Sequence, residues 1–113
     1  MRIVGVTMAR NEVDIIEAWV RHHARLFDEL IVLCHFCQDE TQSIVEDLVR
    51  EGLPLELREE ARPTYDQGRM MTELAREAVT RGADLVFPLD ADEFVVAPEG
   101  DGRAAIELSL IHI

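Results

Sequence analysis

The sequence predicts an α/β fold of three layers, with a mostly parallel sheet and helices on both of its faces. Short apolar runs alternate with segments of helical period, in the order β-α-β-α-β-α-β. The helical segments, of roughly 11 to 16 residues, are long enough for right-handed crossovers between parallel strands. The second apolar run does not alternate with polar residues, as expected for a strand that is buried on both faces.

The first strand and the first helix are predicted close to the N-terminus. Residues 3 to 8, IVGVTM, form a short run rich in β-branched residues. In the next segment, NEVDIIEAWVRHHARLF, Asn11 is the predicted N-cap, and Glu12 and Asp14 occupy the first turn, where the helix dipole favours acids. The apolar stripe of this helix consists of Val13, Ile16, Val20 and Phe27, widened by Ile15, Trp19 and Leu26.

Two adjacent histidines follow the tryptophan of this helix. His22 and His23 lie one helical turn after Trp19. Metal ligands on a helix would need i, i+4 spacing and a third partner, and neither is present in this segment. We therefore interpret both histidines as residues of the helix surface or of the edge of the core, and Trp19 as a core residue.

The second strand and the second helix come next. Residues 29 to 36, ELIVLCHF, are the continuous apolar run. In QDETQSIVEDLVREG, Asp39 and Gln42 have the spacing of a capping box, and Gly52 ends the helix after Arg50 in its last turn. The apolar stripe of the second helix consists of Ile44, Val45, Leu48 and Val49.

The third and fourth strands differ from each other in pattern. Residues 53 to 59, LPLELRE, alternate between apolar and polar, which predicts a strand more exposed than the others. Residues 83 to 94, ADLVFPLDADEF, form the fourth strand and run into an acidic cluster. Because Pro88 has no N–H, we expect the ladder to end there or to be unpaired on that side.

The third helix lies between these two strands and follows a break at Pro63. Thr64 and Gln67 have the spacing of a second capping box, and Gly82 closes the helix after Arg81. The helix is predicted to start at Tyr65 or Asp66, and its inward residues are Met71, Leu74, Ala75 and Ala78.

Polar segments follow three of the four predicted strands. They are ARNE at 9 to 12, CHFCQDET at 34 to 41 and LDADE at 89 to 93. The carboxyl ends of parallel strands meet at one edge of a sheet, and ligands of such folds bind beyond that edge. We therefore expect these three segments to form one site.

The acidic cluster is the strongest chemical signal in the chain. Asp90 and Asp92 point to the same face if they lie on a strand, because side chains alternate with a period of two. Two neighbouring carboxylates raise each other's pKa unless a cation compensates their charge. Mg²⁺ or Mn²⁺, held by these carboxylates together with substrate phosphates, would supply that charge. A solvated acidic turn remains the alternative on the residues alone.

The composition is typical of a folded domain that does not bind nucleic acid in general. With 48% hydrophobic and 30% charged residues, the chain can form a core. Its 11 basic and 23 acidic residues give a net charge of −12, so the basic footprint that neutralises phosphates is missing. No apolar run approaches the ~20 residues of a membrane helix. With no targeting segment visible, a cytoplasmic location is expected.

Several of these segments together resemble family-2-like glycosyltransferases of the GT-A fold. They are RNE, the helix DIIEAWVRHH, the strand DELIVLCH, the turn with Asp39 and Thr41, Gln67, and GADLVFPLDADEF. The resemblance covers residues 1 to about 97. It implies a GT-A or Rossmann-like half-domain that binds a nucleotide sugar through Mn²⁺ or Mg²⁺, from an enzyme that transfers the sugar to an unknown acceptor.

The resemblance also implies roles for single residues. Asp90 and Asp92 would hold the metal, and Asp90 would also contact the donor. The catalytic base is not assigned, and Cys34 stands where many members carry an Asp that reads the base, so the nucleotide is not predicted. The other residues implied to line the donor pocket are Ala9, Arg10, Asn11, Glu12, His35, Asp39 and Gln67.

The C-terminal residues 98 to 113 are predicted to be a turn-rich tail. For the final IELSLIHI, no partner strand or closing helix is expected. LSLIHI resembles a translated sequencing adapter, so we expect that it does not belong to the natural protein. On this interpretation, the chain is the donor-binding half of an enzyme and is inactive alone.

Two other functions remain open. Cys34 and Cys37 form a C-x-x-C between a strand and a helix, as in thioredoxin-like redox sites, although a helix and not a strand follows Pro63. A non-catalytic module that binds a nucleotide or a protein is the second. Phosphatase-like chemistry is disfavoured, because its D-x-D pair follows the first strand and not the fourth.

Overall fold

A computed structural model describes residues 1–61, 66–96 and 109–112, the last four by their backbone alone. Strands and helices alternate over most of this length, as the sequence pattern predicts. The elements are β1 (Ile3–Ala9), α1 (Ile16–Ala24), β2 (Glu29–His35), α2 (Thr41–Arg50), β3 (Leu55–Glu60), α3 (Gln67–Thr80), β4 (Leu85–Asp90), β5 (Glu93–Val96) and β6 (Ser109–His112).

The central sheet has the order β3-β2-β1-β4, and all its pairs are parallel. The chain moves outward from β1 to β3 on one side and then returns to place β4 on the other side of β1. The direction of winding therefore reverses between β1 and β4, the position at which open α/β sheets form a crevice. The predicted α/β fold is confirmed, and the arrangement is that of a Rossmann-like half-domain.

Each face of the sheet is covered by helices. On one face, α1 and α2 bury Ile16, Trp19 and Leu48 in a first core cluster. On the other face, α3 packs Leu74 and Ala78 into a second cluster. β1 and β2 contribute to both clusters, which explains why their sequences are apolar without alternation.

The predicted start of the first helix is wrong. Asn11 has a φ of 55°, in the left-handed region that asparagine tolerates better than most residues, whereas an N-cap needs an extended backbone. Its side-chain Oδ1 accepts a hydrogen bond from the Gln38 backbone N–H at 2.8 Å. α1 therefore begins only at Ile16, without a side-chain cap, and Val13 remains 39% exposed.

The predicted capping box of the second helix is also wrong. Asp39 accepts a hydrogen bond from the backbone N–H of Thr41 at 2.9 Å and a second from its hydroxyl, which forms a local Asx turn before the helix. Gln42 instead donates to Glu59 of β3 at 2.6 Å. Gly52 closes the helix with a φ of 97°, as predicted.

The third helix begins with a different cap. Asp66 is the N-cap of α3, and its carboxylate accepts a hydrogen bond from the backbone N–H of Arg69 at 3.3 Å. Thr64, the first member of the predicted capping box, lies outside the described residues. Gly82 closes α3 with a φ of 101°, as predicted.

Of two expectations for the C-terminal part, the one for Pro88 agrees with the structure in its second form, an unpaired side, and the one for the final IELSLIHI needs correction. The ladder does not end at Pro88, which pairs with Val6, but continues until Asp90 pairs with Met8. Pro88 is tolerated because β4 is the edge of the four-stranded sheet within the described residues. Ser109–His112 has a partner strand after all, since β6 pairs antiparallel with β5. The non-native origin of LSLIHI, residues 108 to 113, stays a prediction.

Candidate functional site

β1, β2 and β4 end at the same level of the sheet. Met8 is in register with Asp90, and Ala9 with Cys34, so the segments after these strands leave the sheet side by side. A cavity of about 160 Å³ opens there, and its described lining residues are Met8, Arg10, Glu12, His35 and Gln67. The structure thus brings together four residues that the resemblance implies for the donor pocket. Their binding role stays a prediction.

Glu12 is the electrostatic centre of this edge. Burial raises the pKa of Glu12, and the negative charges of Asp92, Asp39 and Asp90 raise it further. Carboxylates from the segments after all three strands therefore act on one side chain. Such a concentration of negative charge is unfavourable by itself and would be relieved by a cation.

Asp90 and Asp92 are exposed at the mouth of this edge. The backbone N–H of Asp90 donates to the Glu93 carboxylate at 2.7 Å, which closes the turn around Ala91 and Asp92. Ala91 is buried. The two aspartates of the turn are therefore exposed, while the Asp90–Glu93 hydrogen bond and the buried Ala91 fix its backbone.

Asp39 belongs to the scaffold of the site. Burial would raise the pKa of Asp39, but hydrogen bonds from the hydroxyl and the backbone N–H of Thr41 outweigh it and hold the pKa below its ordinary value. Thr41 is fully buried, and its hydroxyl also accepts the backbone N–H of Glu12 at 2.8 Å. Asp39 is consequently a carboxylate that stays ionised beside Glu12.

Ala9 and Asn11 support the loop and do not line the cavity. Ala9 is fully buried, and its carbonyl accepts a hydrogen bond from the Cys37 thiol at 3.4 Å. Arg10 lies between them and stacks its guanidinium over Phe36, 5.4 Å from the ring centroid. Sequence reasoning missed Phe36, which has a φ of 51° and turns the chain out of β2.

The C-x-x-C pair lacks the features of an activated thiol. Burial raises the pKa of the Cys34 thiol, and the neighbouring Cys37 raises it further. α2 begins at Thr41, so neither cysteine lies in its first turn, where the helix dipole would stabilise a thiolate. The geometry gives no support to the redox function.

The residues of α1 that the sequence leaves without a function contact β5. His23 is fully buried, which corrects its interpretation as a surface or core-edge residue, while Trp19 is core as predicted. Burial lowers the pKa of His23; the hydrogen bond to Trp19 opposes this effect and the nearby His22 adds to it, which leaves the pKa at about 4. His23 is therefore neutral at neutral pH.

The donor set is too small to hold a metal ion by itself. Among the described residues, no three or more His, Cys, Asp or Glu side chains converge in a metal-binding group. Two larger depressions, of about 670 Å³ between α2 and β3 and about 660 Å³ beside α3 and β4, lie away from the carboxyl ends of the strands. A divalent ion at the edge with Asp90 and Asp92 would have to take its remaining ligands from phosphates and water.

The fold is similar to part of TarS from S. aureus, a glycosyltransferase. The similarity has a TM-score of 0.66 at 20% sequence identity and covers 84% of this chain. The chain spans 17% of the length of TarS. No protein-family model and no curated protein sequence matches this chain. In the part of the chain that the structure describes, no helix is long and apolar enough to cross a membrane.

Proposed function

We propose that this chain is the donor-binding part of a glycosyltransferase and that it binds a nucleotide sugar together with Mn²⁺ or Mg²⁺. The observation that carries the proposal is the concentration of negative charge around Glu12. Asp92, Asp39 and Asp90 all contribute to it from the carboxyl edge of the sheet. The fold likeness to part of a glycosyltransferase supports it. Transfer of the sugar to an acceptor is part of the proposal for the whole enzyme.

The carboxylates explain how an acidic chain could bind an anionic donor. Asp90 and Asp92 would hold the divalent ion, which neutralises the negative charge that develops on a departing nucleoside diphosphate. Without the ion, a chain of net charge −12 would repel that diphosphate. The donor and the ion should therefore bind together and not independently.

The cavity beside the aspartates offers complementary polar groups. Arg10 brings a cation to the wall, and its stacking on Phe36 limits its freedom, which lowers the entropy lost on binding a phosphate. His35 and Gln67 offer hydrogen-bonding groups to the nucleoside or the sugar. With about 160 Å³, the cavity would hold one part of the donor, while the diphosphate would lie toward Asp90.

Calorimetric titration with UDP and with GDP, each with and without Mn²⁺, tests the proposal. We expect Mn²⁺-dependent binding by the wild type and none by Asp92→Asn. The matched control is Asp84→Asn, which removes the same charge at the opposite end of β4, where Asp84 accepts the backbone N–H of Arg2. Equal binding by the two variants would remove the site assignment, and absent binding by the wild type would remove the function.

A further inference from the structure

We infer that Trp19, His22 and His23 are positioning residues, which hold β5 and thereby the turn of Asp92 in place from α1. Their positions i, i+3 and i+4 place the three side chains on one face of the helix. Trp19 Nε1–H donates to the Glu93 carbonyl at 3.0 Å, and His22 Nε2–H donates to the Val95 carbonyl at 2.5 Å. The Val95 N–H donates to His23 Nε2 at 3.0 Å.

These three bonds serve the edge of β5 that faces α1. β5 is not part of the four-stranded sheet, and it pairs with β6. In an extended strand, the N–H and C=O groups of residues two apart point to the same side, as those of Glu93 and Val95 do here. The side chains of α1 thus take the place that a further strand would have, and they satisfy backbone groups that lie in the core.

His23 is chemically suited to this position because both of its ring nitrogens are used. Nδ1 lies 2.8 Å from the Trp19 carbonyl, which can only accept, so this nitrogen carries the proton. Nε2 is therefore free to accept the N–H of Val95. The rings of Phe27 and Phe94 lie 5.4 and 5.5 Å from the His23 ring and shield these bonds from water.

The turn with Asp92 is consequently held at both ends. On one side, Asp90 is paired with Met8 in the sheet. On the other side, the carbonyl of Glu93 accepts the indole N–H of Trp19, and its carboxylate accepts the backbone N–H of Asp90. The residues on both sides of Asp92 are thereby attached to the sheet and to α1. This inference rests on the proposed function only for the role of Asp92.

The test compares His23→Phe with Leu48→Ala, a substitution in the core cluster on the same face of the sheet. His23→Phe keeps an aromatic ring but removes both hydrogen bonds, whereas Leu48 lies on α2 and is buried without belonging to the α1–β5 contact. In His23→Phe we expect the Val95 amide to exchange about tenfold faster, the loss typical of one buried hydrogen bond. Affinity for Mn²⁺ with UDP, and in parallel with GDP, should fall by a similar factor. Leu48→Ala should change neither the exchange rate of the Val95 amide nor the affinity, when the two variants are compared at the same fraction of folded protein.

A spectroscopic signature accompanies these measurements. The ¹⁵N shifts of His23 in the wild type should show the neutral tautomer with the proton on Nδ1 at neutral pH, whereas the opposite tautomer would overturn the inference. Unchanged affinity in His23→Phe, despite faster exchange at Val95, would overturn it too. If the wild type binds neither nucleotide, the proposed function fails. The exchange rate of the Val95 amide hydrogen then decides the positioning role, and equal rates in His23→Phe and Leu48→Ala would refute it.

Discussion

The backbone N–H of Glu12 donates a hydrogen bond of 2.8 Å to the hydroxyl of Thr41. The same hydroxyl donates to the carboxylate of Asp39. One buried side chain therefore links the segment after β1 to the turn after β2. Neither segment has regular structure at this point, so their relative position depends on side-chain contacts, of which this hydroxyl makes two.

Replacing Thr41 with Val should loosen this link. The change keeps the shape of the side chain but leaves the N–H of Glu12 unpaired, which costs about 1 to 3 kcal/mol of unfolding free energy when the group is buried. The pKa of Asp39 should rise, because it loses the hydroxyl that holds it down. Urea denaturation and carboxylate titration by NMR measure the two effects. Thr41→Ser is the control, since it keeps the hydroxyl, and equal losses in the two variants would refute the link.

Replacing Glu12 with Gln should stabilise the chain at neutral pH. The folded pKa of Glu12 lies above its ordinary value, so ionised Glu12 opposes folding once the pH rises through that pKa. We expect a gain below about 1 kcal/mol at pH 7, because the group is only partly buried. The gain should vanish below pH 4.5, the ordinary pKa of the group, where Glu12 is protonated in both states.

Thermal denaturation at pH 7 and pH 4 measures this gain, with Glu73→Gln as the matched control. Glu73 lies on the exposed side of α3 in an ion pair with Arg69 at 3.2 Å, so its loss should not stabilise the chain. Mn²⁺ with a nucleotide diphosphate should reduce the advantage of Glu12→Gln, because a cation relieves the same repulsion. A lower stability of Glu12→Gln at pH 7 would contradict the repulsion between Glu12 and the neighbouring carboxylates.

Replacing Gly5 with Ala should destabilise the centre of the sheet. An added Cβ would lie 2.6 Å from Cδ2 of Phe27, too close for any real contact. Phe27 cannot move away easily, because it stacks on Phe87 with centroids 5.1 Å apart. We expect a loss of about 1 to 3 kcal/mol in urea denaturation, as for other overpacked cores.

Gly68 provides the comparison for this substitution. It lies in α3, and an added Cβ would meet nothing within 4 Å. Gly68→Ala should therefore stabilise the helix by about 0.5 to 1 kcal/mol. A combined Gly5→Ala and Phe27→Leu variant should recover part of the loss at Gly5, and no recovery would mean that the clash is not with the ring.

The sequence predicts the layers of this fold better than the contacts of its site. Alternating apolar runs and helical stripes depend on neighbours along the chain, so β1 to β4 and the two-sided core follow from local pattern. The prediction of Asn11 as a cap is wrong because the residue types that cap helices also tolerate a left-handed backbone. The partner of His23, Val95, lies 72 residues away, and no spacing on α1 reveals it.

The positions of the acidic residues show the same division. Parallel order places the ends of β1 and β4 at one edge, so the approach of Asp90 to the segment of Glu12 could be predicted. The link from Glu12 through Thr41 to Asp39 could not be predicted. A threonine at the start of a helix is common, and its partner depends on how two loops pack. Local pattern predicts which edge carries the site, whereas loop packing decides which side chains meet there.

The neutral state of His23 should make the stability of the chain sensitive to acid. Its pKa is about 4 in the folded chain and 6.5 ordinarily, so between these values the unfolded chain binds the proton and the folded chain does not. The contribution is fully present above pH 6.5 and is lost as the pH falls toward 4. A shift of this size corresponds to about 3 kcal/mol.

Urea denaturation at several pH values over that window, in the wild type and in His23→Phe, isolates the effect. Asp39, Glu51 and Glu56, whose pKa values are also lowered, titrate in both proteins and cancel in the comparison. We expect a flatter dependence in the variant, and parallel curves would show that the pKa of His23 is not lowered in the folded chain.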